Sequence, residues 1–144
     1  MRLWHYRLLK YLPKLQFEGQ LKELVAIMRD LRDKGATNHL LINKVMEYPK
    51  GHLYSYWKRY EAEYLNRYGI KPKQSTEFYA WGADVDCYFR PFADTWHNKE
   101  YLRVCMANLY EKHIFGVGKS RITDEEWETL CKGYFEITGE PYVI

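Results

Sequence analysis

Residues 13–35 read PKLQFEGQLKELVAIMRDLRDKG. Within this stretch Phe17, Leu21, Leu24, Met28 and Leu31 recur at steps of four and three, the spacing that lines one face of an α-helix. Pro13 suits the first turn and Gly35 the stop after Lys34. Such a face must be covered, and the flanking sequence supplies more helix. A second helix is predicted over His39–Tyr48, with Leu40, Leu41, Val45 and Tyr48 as its apolar positions, ended by Pro49. A third is predicted over His52–Tyr68, stopped by Gly69, with Leu53, Tyr56, Tyr60, Tyr64 and Tyr68 forming a tyrosine-rich face. Ser75–Thr95 reads as short helices and loops. Asn98 can cap a helix over Lys99–His113 that turns Leu102, Val104, Met106 and Leu109 inward, and Gly116-Val117-Gly118 breaks it. Thr123 followed by Glu126 forms a capping box for a last helix running to about Ile137. Five or so helices and no alternating strand pattern predict an all-α fold.

A length of 144 residues fits one compact domain, 1–144. With 47% apolar and 28% charged residues an ordered core is expected. Fourteen of the aromatic residues are tyrosines, suited to surfaces half buried and half hydrogen-bonding. No window is apolar enough for a membrane span, and the start lacks the apolar core of a signal peptide, so a cytoplasmic monomer is expected. Cys87, Cys105 and Cys131 are odd in number and form no CxxC, which predicts reduced, mostly buried thiols and no structural zinc.

The net charge of +3 is too small for a strongly basic nucleic-acid binder taken whole, but it hides an asymmetry. Residues 1–74 carry 15 Lys+Arg against 7 Asp+Glu, a balance of +8, and residues 75–144 carry 7 against 12, a balance of −5. The basic half can hold an anionic partner. Equally, the two halves can neutralise each other within one fold.

Several familiar chemistries find no support. Gly116-Val117-Gly118-Lys119-Ser120 ends like a P-loop but lacks its upstream glycine and a preceding strand. There is no HExxH and no GxSxG, and His52, His97 and His113 are scattered, so no metal site is expected. Asp84 and Asp86 read as a solvated loop pair. What stands out is the first helix. At 100° per residue Gln16 lies about 20° and Gln20 about 60° from Glu23, with Gly19 about 40° to the other side. These residues form a polar strip beside the apolar face, with Lys22 at its margin. Gly19 costs about 1 kcal/mol of helix propensity, which is explained by close approach of another helix or of a ligand.

Met1-Arg2-Leu3-Trp4-His5, Leu12-Pro13, Gly19-Gln20-Leu21-Lys22-Glu23, His39 with Asn43, and Leu53-Tyr54-Ser55-Tyr56 form an ordered series. The series resembles the pyrimidine-dimer DNA glycosylase (endonuclease V) family, and looks closest to the branch that begins Met-Arg-Leu-Trp. The resemblance covers residues 1–70 well and 71–113 loosely. It implies a single all-α domain with an N-terminal segment threaded among the helices, acting on damaged double-stranded DNA without a metal or cofactor. It implies excision of a base from a pyrimidine dimer, then cleavage at the abasic site through an imine to the N-terminal amine. The essential glutamate falls on Glu23, and the family's basic residues fall on Arg2 and Lys22. A histidine one or two turns before the glutamate is replaced here by Gln16. Arg2 disfavours removal of the initiator methionine, so the amine of Met1 stands where the family exposes that of a small residue. His5, His39 and Asn43 are further candidates to line the site, the last two sharing a face at i,i+4. Capping or helix–helix hydrogen bonds are equal alternatives for His39 and Asn43. Two other functions remain compatible with the residues: a non-catalytic nucleic-acid or nucleotide-binding protein, and a module that binds another protein.

Overall fold

The structure is a computed structural model and describes residues 2–35 and 39–144. Among the described residues every regular element is helical. Six α-helices follow in order: α1 (Lys14–Asp33), α2 (Leu40–Met46), α3 (Lys50–Tyr68), α4 (Ser75–Gly82), α5 (Lys99–Ile114) and α6 (Asp124–Thr138). Two 3-10 helices, Tyr6–Tyr11 and Gly118–Ser120, complete the set. The all-α expectation holds, with one more α-helix than the periodicity counted.

The helix ends follow the local chemistry. Pro13 precedes α1, and its carbonyl accepts from Phe17 N. Gly35, with φ of 71°, closes the other end, its N–H reaching back to Asp30 O. Gly69 ends α3 in the same left-handed conformation. Asn98 caps α5 by accepting from Tyr101 N, and the Thr123–Glu126 capping box opens α6 with both reciprocal bonds made.

The chain divides into two compact units. One comprises the residues up to Leu3 with Gly19–Ala93, the other Trp4–Glu18 with Asp94–Ile144. The N-terminal segment is thus shared out between them. In the first unit Leu24, Ile27, Met28, Leu53, Tyr56, Trp57, Tyr60 and Phe78 are buried, and Trp57 stacks on Phe78 at 3.9 Å. Glu77 on α4 accepts from Arg29 and Arg32 on α1, and these guanidiniums hold its carboxyl down at about 2. In the second unit Leu8, Leu102, Cys105, Met106, Leu109, Leu130 and Tyr134 are buried.

Several positions differ from the sequence reading. Leu40 is 85% exposed and Ile42 is buried instead, because α2 turns Ile42 and Val45 inward together. Down the tyrosine face burial fades from Tyr60 to the exposed Tyr68. Of the cysteines only Cys105 is buried; Cys87 is exposed and Cys131 half-buried. The charge asymmetry softens too. The first unit holds 13 Lys+Arg against 9 Asp+Glu, or +4, and the second 9 against 10, or −1. Glu77, from the acidic half of the sequence, sits among the arginines of the basic half.

Gly133 gives a direct test of the second unit's packing. It lies on α6 against Tyr11, and a Cβ there would come within 2.4 Å of the ring. Gly133→Ala is expected to destabilise by about 1–3 kcal/mol through overpacking, against the gain of about 1 kcal/mol in helix propensity. A lower urea midpoint at unchanged slope is the expected reading; an unchanged midpoint would mean that the ring steps aside at no cost.

Candidate active site

The middle of α1 gathers the polar residues of the first unit around one carboxylate. Oε2 of Glu23 accepts from the backbone N–H of Arg2 at 2.8 Å. It also accepts from Gln20 Nε2 at 3.3 Å. The same Gln20 nitrogen donates to the carbonyl of Arg2 at 2.8 Å. Both amide protons of Gln20 are therefore spent, one on Glu23 and one on the backbone of residue 2. Its Oε1 accepts from the Tyr56 hydroxyl at 3.1 Å. Gln20 is 1% exposed and Tyr56 is fully buried, so the bond between them forms away from solvent, where an unmade one would be costly, while Arg2 and Glu23 are half-buried.

The spacing within the helix explains the arrangement. Gln20 and Glu23 stand at i,i+3, so their side chains meet on one face. Leu24, Ile27 and Met28 anchor that helix in the core, which fixes where the two polar groups emerge. Gly19, one turn before Glu23, has no described atom within 4 Å of where a Cβ would be. The notch is open, so helix packing does not account for this glycine.

Other site candidates fall in different places. Lys22 is exposed on α1. His39 stands at the N-cap position of α2 but makes no side-chain cap bond, and both it and Asn43 are exposed. Met1 lies outside the described residues. His5 belongs to the second unit and is 3% exposed. Its Nδ1 accepts from Arg7 N, and its ring stacks on Tyr6 and His97. A ring so enclosed presents no surface to a phosphate, and burial lowers its pKa to about 4, so at neutral pH it carries no charge to offer one. Gln16 also falls in the second unit, half-buried, with no described hydrogen-bond partner for its Oε1. No helix among the described residues is long and apolar enough to cross a membrane.

A glutamate on the first long helix that holds the start of the chain invites comparison with known proteins. The family described as pyrimidine dimer DNA glycosylase matches residues 1–77. The chain belongs to that family. It is therefore a DNA-repair glycosylase at the family level, with DNA as the substrate class. The matched stretch contains Arg2, Gln20, Glu23 and Tyr56, the whole of the hydrogen-bonded cluster, together with α1 to α3. The match is to the family as a whole rather than to the branch beginning Met-Arg-Leu-Trp. No curated protein and no solved structure matches the chain significantly.

Proposed function

We propose that this glycosylase also cleaves the strand, by attack of the α-amine of residue 1 on the damaged nucleotide, with Glu23 as its acid–base group. The observation that supports this reading is the 2.8 Å hydrogen bond from Arg2 N to Glu23 Oε2. The amine of residue 1 is three covalent bonds from that nitrogen. An α-amine titrates near about 8, against about 10.4 for lysine, so a useful neutral fraction exists at pH 7.

The chemistry balances as follows. The neutral amine bonds to C1′ as the bond to the damaged base breaks, and the proton that the new ammonium loses goes to the base. Cleavage of C1′–O4′ then gives a protonated imine, with O4′ taking a proton from solvent water. The Glu23 carboxylate offsets the positive charge that develops at C1′. It then removes a proton from C2′, and the electrons of that bond expel the 3′ phosphate. Water hydrolyses the imine and frees the amine. No step draws on a metal or cofactor. Arg2 and Lys22 bind phosphates, and His39 and Asn43 contact the DNA. A damaged pair costs less to open than an intact one, which favours extrusion at the lesion.

Borohydride reduction of the protein with a duplex carrying one abasic site tests the mechanism. A covalent adduct is expected, and it is expected to vanish after selective modification of the α-amine. Absence of an adduct, from protein whose intact mass shows a free residue 1, would overturn it. Salt-steep DNA binding without an adduct would identify a protein that binds DNA without cleaving it.

A further inference from the structure

Gln20 is a buried polar residue with every amide group engaged, and three of its contacts converge on the candidate site. We infer that Gln20 is a positioning residue: it clasps the Arg2 backbone and the Glu23 carboxylate into one register, and Tyr56 anchors the clasp to the core. The inference rests on the reading of Glu23 as the acid–base group.

The geometry supports this in three steps. First, Gln20 Nε2 reaches both Arg2 O at 2.8 Å and Glu23 Oε2 at 3.3 Å, so one planar group spans the two parts of the site. Second, Arg2 N reaches the same carboxylate oxygen at 2.8 Å. Arg2 thus both donates and accepts within the cluster, and a shift of either partner breaks two bonds. Third, a side-chain amide can flip, and a flipped Gln20 would set its oxygen against the carbonyl of Arg2 and the carboxylate of Glu23. Those two groups only accept, so they oppose the flip, and the Tyr56 hydroxyl, donating to Oε1 at 3.1 Å, anchors the other end of the amide. Tyr56 is held in turn by burial in the core of the first unit. The packing of α3 is thereby coupled to the placement of the reacting groups. A surface carboxylate would wander among rotamers; this one is held by donors that do not have to reorganise when charge develops.

Gln20→Met keeps length and volume and removes both donors. The variant is expected to nick abasic duplex with kcat lowered about 10- to 100-fold, the scale of a misplacement near 1 Å, while KM stays near the wild-type value. A role in packing alone would lower the melting temperature without splitting kcat from KM. A second readout does not depend on activity. The Arg2 amide proton, bonded to Glu23, is expected to move upfield in the nuclear magnetic resonance spectrum of Gln20→Met and to exchange faster with solvent. Tyr56→Phe, which leaves Gln20 in place but removes its anchor at Oε1, is expected to shift both readouts the same way and less far, and it serves if Gln20→Met does not fold. Unchanged kcat together with an unchanged Arg2 amide in either folded variant would overturn the inference. If the wild-type protein does not cleave, the acid–base reading of Glu23 fails, and the Arg2 amide alone decides whether Gln20 is the clasp.

Discussion

Glu23→Gln is expected to lower single-turnover cleavage of an abasic duplex by about 10²- to 10⁴-fold, the usual contribution of a positioned acid–base group. That corresponds to about 3–5 kcal/mol of lost transition-state stabilisation. The substitution is nearly isosteric. The amide keeps one oxygen that can accept from Arg2 N, so the register of the N-terminal segment is largely preserved. What disappears is the negative charge that offsets the developing cation at C1′, and the base that takes the C2′ proton. Affinity for DNA is expected to stay the same or to tighten, because binding rests on cations meeting phosphates and the change removes a negative charge from the site. Anisotropy titrations at fixed salt, run beside the cleavage assay, separate the two quantities. Cleavage within a few-fold of wild type in a folded Glu23→Gln protein would remove Glu23 from the mechanism. A parallel loss of affinity would assign it to binding instead.

Glu23 was the most legible residue of the site, and the reasons are physical. It lies on a helix whose apolar period is unbroken, so its angular position follows from the spacing alone. The same arithmetic put Gln20 about 60° away, toward the apolar face. That strip was expected to be polar, yet Gln20 is 1% exposed. Periodicity classes a glutamine as polar and leaves it outside the core. Only the three-dimensional arrangement supplies the Arg2 backbone and the Tyr56 hydroxyl that satisfy it. Tyr56 could be read as a core aromatic from its spacing, but a buried hydroxyl needs a partner, and that requirement was the available hint.

Elsewhere, legibility follows how local the determinant is. Caps and stops were readable because Asn98, Thr123, Gly35 and Gly69 act within a few residues. The face of α2 was not, because seven residues make barely two turns and a run of Leu40, Leu41 and Ile42 offers two equivalent registers. The charge split at Gln74 does not map onto the two units, for a related reason. Sequence halves are not spatial units, and the salt bridges from Arg29 and Arg32 to Glu77 cross that boundary. What survives is a first unit with a balance of +4, which contains Arg2, Lys22 and Glu23.

His5 shows how a residue carried over by resemblance can take a structural role, and it leads to the other large effect. Stability is expected to fall by about 3 kcal/mol between pH 6.5 and pH 4 on account of His5 alone. Burial lowers its pKa from 6.5 to about 4, the nearby Arg7 charge pushes the same way, and a hydrogen bond to the His97 backbone opposes both. His97, as buried as His5 and facing it, is held well below 6.5 as well by that burial. Its Nδ1 accepts from Tyr6 N, and His5 Nδ1 accepts from Arg7 N, so protonating either nitrogen breaks a bond that orders the Tyr6–Tyr11 helix. The sign follows from proton counting. Above pH 6.5 both states hold these rings neutral and the contribution is fully present. Below it the unfolded chain takes up protons that the folded one refuses, so stability declines until His5 protonates in the folded state near pH 4. Urea midpoints at pH 7.5, 5.5 and 4.5 measure the slope. His5→Asn keeps an acceptor for Arg7 N but has nothing to titrate in this range, so it is expected to be less stable at pH 7.5 and flatter across the window. A wild-type midpoint unmoved between pH 7.5 and 4.5 would mean that the pair of rings takes up protons without cost. The enclosed packing of His5 against both Tyr6 and His97 makes that outcome the hardest to reconcile with the fold.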